Sequence, residues 1–247
     1  MKKYIIIFRA DGPLKNTYLN ISLEKLNYKI KNFPILNIKK IYNKEIKVRA
    51  NDIVITTSFY GVYYLSTLTT NRDFHLYTLG KAAKLLAKKL GFKNIIECSG
   101  DSGNILLNFI RNNKVDKFNR GNIIYAGAKE ISFNLPKKLN CLGYKVKRYK
   151  IYSSEAINCF SSKLVDLVKK RSVSWIVLLS SKGSKAFYAN AKKIFNKEDL
   201  SYINFACISS NVAKNLNNKY LKIFYPKSPN VNSIKKIISK YEKKYGS

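Results

Sequence analysis

The sequence predicts an α/β protein of two similar domains, each a parallel sheet flanked by helices. Three observations predict it. Apolar runs of strand length alternate along the chain with segments of helical spacing. Strict β/α alternation of this kind gives parallel strands covered by helices on both faces. The segment Ile53-Val54-Ile55-Thr56-Thr57-Ser58 has a counterpart in Ile176-Val177-Leu178-Leu179-Ser180-Ser181, 123 residues later and half the chain away. A length of 247 residues suits either one large domain or two of about 120 residues each.

The elements follow in order. Residues 3–8 read as the first strand. Met1-Lys2-Lys3 with a short apolar run imitates a signal peptide, but Arg9 closes the run and no small-residue cleavage site follows. A cytoplasmic protein is the expectation. The spacing of Leu19, Leu23 and Leu26 predicts a helix over 15–27, and 31–38 reads as extended. Strands are expected at 52–57, 74–79 and 94–97, followed by helices at 59–69, 81–90 and 103–112 respectively. A strand over 121–126 leads through Gly127 into a helix at 131–142, which Gly143 ends as a C′ residue. Then come a strand at 144–151, a helix at 155–170, a strand at 174–179 and a helix at 183–195. Strands at 203–208 and 221–225 alternate with helices at 210–217 and 231–244. A second internal likeness joins Leu76–Ala83 to Phe205–Val212, each a strand that meets a small residue and opens a helix. Two domains of one architecture facing each other, with a ligand between them, is the expected arrangement.

Composition narrows the function classes. The net charge of +33 invites a nucleic-acid reading. Only seven of the 47 basic residues are Arg, however, and the lysines are dispersed along the chain without a basic tail. Lys, Asn, Ile and Tyr all have A/T-rich codons, so a solvated lysine surface and a polyanionic ligand both remain open. No stretch is apolar over the ~18–20 residues a membrane helix needs. Cys98, Cys141, Cys159 and Cys207 form no C-x-x-C pair and read as buried reduced thiols; with one histidine, His75, a metal site lacks partners. Neither a Gly-rich phosphate loop nor a G-x-S-x-G nucleophile elbow is present.

What remains is a set of strand-to-helix turns rich in small and hydroxyl residues: Thr57-Ser58, Gly80-Lys81, Gly127-Ala128-Lys129, Ser180-Ser181 and Ser209-Ser210-Asn211. Each can simply cap its helix. The same geometry presents free N–H groups and a helix dipole to a carboxylate, so convergent turns suit a ligand carrying many carboxylates. Both roles stay open.

These residues resemble the uroporphyrinogen-III synthase family. The likeness runs from the strand ending at Arg9, with Pro13 and Phe33–Ile38, through Asp52–Ser58 with Gly61-Val62, to Leu79-Gly80. It continues through Ile123–Gly127, Leu135, Leu139, Gly143, Val146 and Ile151-Tyr152. It closes with Ser180-Ser181, Ala206–Ser209, Ala213, Leu216 and Ser228-Pro229. There are departures. Ala82-Ala83 and Asn211-Val212 stand where the family commonly has helix-opening threonines, and Ser209 replaces a glycine. Phe59 and Lys182 replace the proline after the turn serines.

The resemblance implies a discontinuous domain, 1–38 with 154–247, and an inserted domain, 42–150, with 39–41 and 151–153 pairing as a two-stranded hinge. It implies a cofactor-free, metal-free, monomeric lyase. In that family linear hydroxymethylbilane loses its hydroxyl as water, ring D inverts through a spiro intermediate, and uroporphyrinogen III closes. Tyr152 falls on the family's Val-Tyr tyrosine, with Ile151 for the valine, and is the implied proton donor. Arg9 and the turns above are the implied carboxylate-binding residues. Two other readings remain: a basic nucleic-acid-binding module, and a family member that binds tetrapyrrole without turnover.

Overall fold

The structure, a computed structural model, describes residues 3–11, 28–98, 104–105, 108, 121–216, 219–227 and 230–245. The helix expected over 15–27, most of that over 103–112, and Pro13, Ser228 and Pro229 lie outside the described residues. The chain divides into two compact units, one of residues 1–38 with 155–247 and one of residues 39–154. It is an α/β fold of mostly parallel strands with helices packed on them.

The first unit contains β1 (Tyr4–Asp11), β2 (Lys29–Lys40, which runs on into the second unit), β8 (Val173–Leu178), β9 (Asn204–Cys207) and β10 (Lys222–Phe224). Their order is β10-β9-β8-β1-β2. β1 shows why both faces need cover. Ile6 and Phe8 join one apolar cluster, and Ile5 and Ile7 join another on the opposite side. A strand buried on both faces reads as an unbroken apolar run, which is what Ile5–Phe8 is. On the first face lie α4 (Ser162–Lys169), through Leu164 and Val168, and α5 (Ser181–Ile194), through Ala186, Phe187 and Ala191. On the second lies α8 (Val231–Tyr245), through Ile234 and Ile238. Glu242 pins α8 down: Trp175 Nε1 donates to its Oε1 at 2.7 Å and Tyr28 Oη to its Oε2 at 2.5 Å.

The second unit contains β3 (Ile53–Thr56), β4 (His75–Leu79), β5 (Asn94–Cys98), β6 (Ile123–Ala128) and β7 (Val146–Ala156, whose end enters the first unit), in the order β7-β6-β3-β4-β5. Its helices are α1 (Phe59–Ser66), α2 (Gly80–Lys89) and α3 (Leu135–Cys141). Ile53, Ile55, Tyr77, Ile123, Tyr125, Leu135 and Leu139 form its core on one face. Gly143, at φ 86°, follows α3 as a C′ residue in the left-handed region, where a side chain would be strained.

Several expected boundaries are corrected. The helix expected over 155–170 begins only at Ser162, because β7 continues to Ala156. The helix expected over 131–142 begins at Leu135, where the Asn134 side chain caps it by accepting from Lys137 N–H. The helix expected over 210–217 is the short α7 (Ser210–Ala213), and 59–69 ends at Ser66. A further short helix, α6 (Lys197–Ser201), has an Asn196–Asp199 capping box. Cys98 and Cys207 are buried, but Cys141 and Cys159 are exposed, contrary to expectation: Cys141 ends α3, which buries Leu135, Pro136 and Leu139 instead, and Cys159 lies in the loop between β7 and α4.

Candidate active site

In the second unit β3 stops at Thr56, and the chain turns through Thr57 and Ser58 into α1. Ser58 is extended, and its Oγ accepts from Gly61 N–H at 2.9 Å. That is an N-cap, worth about 1 kcal/mol. The first unit repeats the device. Ser180 follows β8 with nearly the same backbone angles, and its Oγ accepts from Gly183 N–H at 3.0 Å. The internal likeness seen in sequence is therefore a likeness of two capped turns, each positioned by its own strand.

The Thr57-Ser58 turn carries more than a cap. Tyr152 Oη lies 2.8 Å from Ser58 Oγ, and Tyr125 Oη lies 2.9 Å from Thr57 Oγ1. Tyr152 sits inside β7 rather than after a strand ending at 151, which corrects the sequence reading. The ladder explains this: Tyr152 is in register with Ala128, and Lys129 N–H donates to Tyr152 O at 2.7 Å. Tyr64 stacks on the Tyr152 ring with centroids 5.9 Å apart, and Tyr60 approaches it at 6.4 Å. Tyr152 is 6% exposed. Burial raises its pKa above the ordinary phenol value; the Ser58 hydrogen bond opposes this, and Tyr125, Tyr60 and Tyr64 add to the rise. The phenol is neutral at physiological pH, as a proton donor must be.

Gly127-Ala128-Lys129 belong to the same cluster. Arg148 Nη2 donates to Ala128 O at 3.2 Å and Lys129 O at 2.8 Å, fixing the end of β6. Gly80 opens α2 at φ 77° with Leu79 at the cap position and no side-chain cap, and Lys81 is exposed there. Their turn follows β4, the neighbour of β3 in the sheet, and is not part of the Ser58–Tyr152 hydrogen-bonded pair.

In the first unit Ser181 Oγ donates to Asn211 O at 3.3 Å, which joins the starts of α5 and α7. Ser184 Oγ, fully buried, donates to Val212 O at 3.0 Å, and Asn215 Nδ2 donates to Ser184 Oγ at 3.0 Å and to Asn211 O at 2.9 Å. Ser181 and Asn211 are thus brought together, with Ser180 and Ser210 their neighbours in sequence, and Ser209 caps α7 without a side-chain hydrogen bond. Arg9 is half-buried near the end of β1, one residue past Phe8, which is in register with Leu178. Sequence reasoning missed Tyr125, Arg148, Ser184 and Asn215. The only available signal was the Tyr125-x-Gly127 spacing, and among 18 tyrosines it does not stand out.

Among the described residues no three His, Cys, Asp or Glu side chains gather as a metal site needs, and no helix is long and apolar enough to cross a membrane.

Comparison with known proteins gives four findings. The family model for uroporphyrinogen-III synthase HemD matches residues 19–235. The fold is similar to the crystal structure of uroporphyrinogen-III synthetase from Helicobacter pylori 26695, with TM-score 0.61 and 15% identity over 97% of this chain and 99% of that one. It is also similar to a mutant uroporphyrinogen III synthase from Thermus thermophilus, with TM-score 0.54 and 14% identity over 98% and 99% of the two chains. No curated protein sequence matches the chain significantly.

Proposed function

The chain belongs to the uroporphyrinogen-III synthase family of tetrapyrrole biosynthesis, and from that premise we propose that it converts hydroxymethylbilane to uroporphyrinogen III with loss of water. The observation that carries the proposal is the pairing of a capped strand-to-helix turn at Ser58 with the neutral phenol of Tyr152. Ser58 Oγ spends one lone pair on Gly61 N–H. Its own proton can then point at Tyr152 Oη, which leaves the phenolic proton directed elsewhere. That proton serves the departing hydroxyl of the substrate, as a general acid does. The eight substrate carboxylates are held by the helix starts at Thr57-Ser58, Gly80-Lys81, Ser180-Ser181 and Ser209–Asn211, by Gly127–Lys129, and by Arg9. Ring inversion follows from how the cleft orients the bilane rather than from the phenol.

The reading includes a cytoplasmic monomer that uses neither metal nor organic cofactor. It also includes a hinge at 39–41 and 151–153 between domains of 1–38 with 154–247 and of 42–150. A second reading, a basic nucleic-acid-binding protein, is favoured only by the net charge of +33. DNA binding that survives moderate salt and prefers one sequence would support it. Incubation with hydroxymethylbilane, followed by chromatography of the oxidised products, tests the enzyme reading. Type III product formed faster than spontaneous closure supports it, and type I alone refutes it.

A further inference from the structure

We propose that Tyr125 is a positioning residue of this site: its phenol, bonded to Thr57, fixes the Thr57-Ser58 turn for a substrate carboxylate. The inference rests on the reading of that turn as substrate-binding. Two successive hydroxyls of one turn are anchored to neighbouring strands, Thr57 to Tyr125 on β6 and Ser58 to Tyr152 on β7. Capping does not require the first anchor. The matching turn of the other unit has Leu179 where this one has Thr57, yet Ser180 adopts φ −154° and ψ 149° against −153° and 154° for Ser58.

The sequence makes room for the Tyr125 ring at a cost. Tyr125 is 1% exposed, and burying a phenolic hydroxyl is unfavourable unless it is bonded, so phenylalanine would fill the core more simply. Gly127 is kept bare beside it: a Cβ there would stand 2.8 Å from Tyr125 Cε1 and 3.2 Å from its Oη. Burial pushes the Tyr125 pKa up, while the Thr57 bond and the Arg148 charge pull it down, so the bonded group is the neutral phenol at physiological pH.

Uroporphyrin III, an octacarboxylic fluorophore, is the probe. Its Kd is measured by fluorescence titration for wild type, Tyr125→Phe, Gly127→Ala and the double variant, alongside KM, kcat and thermal melting. Loss of one hydrogen bond predicts a Kd and KM raised about 5- to 10-fold in Tyr125→Phe, with kcat within about 2-fold. Gly127→Ala, which pushes the ring off Thr57, shifts Kd the same way, and the double variant is no weaker than the weaker single. Thr57→Val, which removes the hydroxyl bonded to Tyr125, reproduces Tyr125→Phe, which decides the matter should Tyr125→Phe not fold. Unchanged Kd with a lowered melting temperature overturns the inference and assigns Tyr125 to packing. A wild type that binds the porphyrin but makes no type III isomer removes the enzyme reading alone, since the Kd comparison still judges Tyr125.

Discussion

Tyr152 Oη lies 2.8 Å from Ser58 Oγ, joining residues 94 apart in sequence at the end of one sheet. Ser58 is at once the cap of α1 and the partner of the phenol, so the helix start and the proposed proton donor share one hydroxyl. A helix dipole that favours a carboxylate is thereby placed beside a group that can protonate a leaving oxygen.

Removing the phenolic oxygen tests that pairing. Tyr152→Phe keeps the ring, its stacking on Tyr64 and its place in the core, and so folds normally. Turnover falls about 10- to 1000-fold, around or below the usual general-acid contribution, while the product stays type III. Steady-state kinetics with product chromatography reads both. Unchanged turnover assigns Tyr152 to packing.

The pH profile follows from the direction of the Tyr152 shift. Its folded pKa is raised above the unfolded value, by burial first, so the neutral phenol's contribution to activity and stability is complete below that unfolded value of about 10. It is lost only as pH rises through the still higher folded pKa. kcat measured against pH shows no phenol-dependent loss between about pH 6 and 9. A loss in that range that disappears in Tyr152→Phe contradicts the assignment.

The two caps differ in what else they do. Ser180→Ala removes the acceptor for Gly183 N–H and destabilises by about 1 kcal/mol in urea unfolding. Ser58→Ala removes the same kind of acceptor and also the partner of Tyr152, whose buried phenol then lacks that bond. Its cost is about 2 kcal/mol. Equal losses would show that the Tyr152 bond contributes nothing to folding.

Thiol reactivity separates the cysteines. Cys141 and Cys159 are exposed and react with a disulfide reagent in the native protein. Cys98 and Cys207 are buried; burial raises both thiol pKa values, that of Cys207 to about 12. Native titration therefore gives two fast thiols and denatured titration four. Fast reaction of Cys207 would contradict its place in the core.

Much of the fold is legible in the chain because a strand covered on both faces must be apolar throughout, as Ile5–Phe8 and Ile53–Ile55 are. The capped turns are legible too, since a serine at the end of such a run has a local meaning. Ser153-Ser154-Glu155 misleads for the opposite reason: locally it resembles a helix start, but β7 runs on to Ala156 and Ile157 N–H donates to Ile35 O of β2. The short α6 was readable from Asn196 and Asp199, three residues apart. Tyr125 was not readable. Its meaning depends on Thr57, 68 residues away, and no periodicity encodes that contact.

The isomer composition of the product tests the central claim most directly. Hydroxymethylbilane is incubated with increasing amounts of the protein in the presence of a chelator, and the oxidised uroporphyrins are separated by chromatography. The account predicts a type III fraction that rises with protein concentration and approaches the whole product as catalysis outruns spontaneous closure, with the chelator making no difference. A product that stays type I at every protein concentration contradicts it.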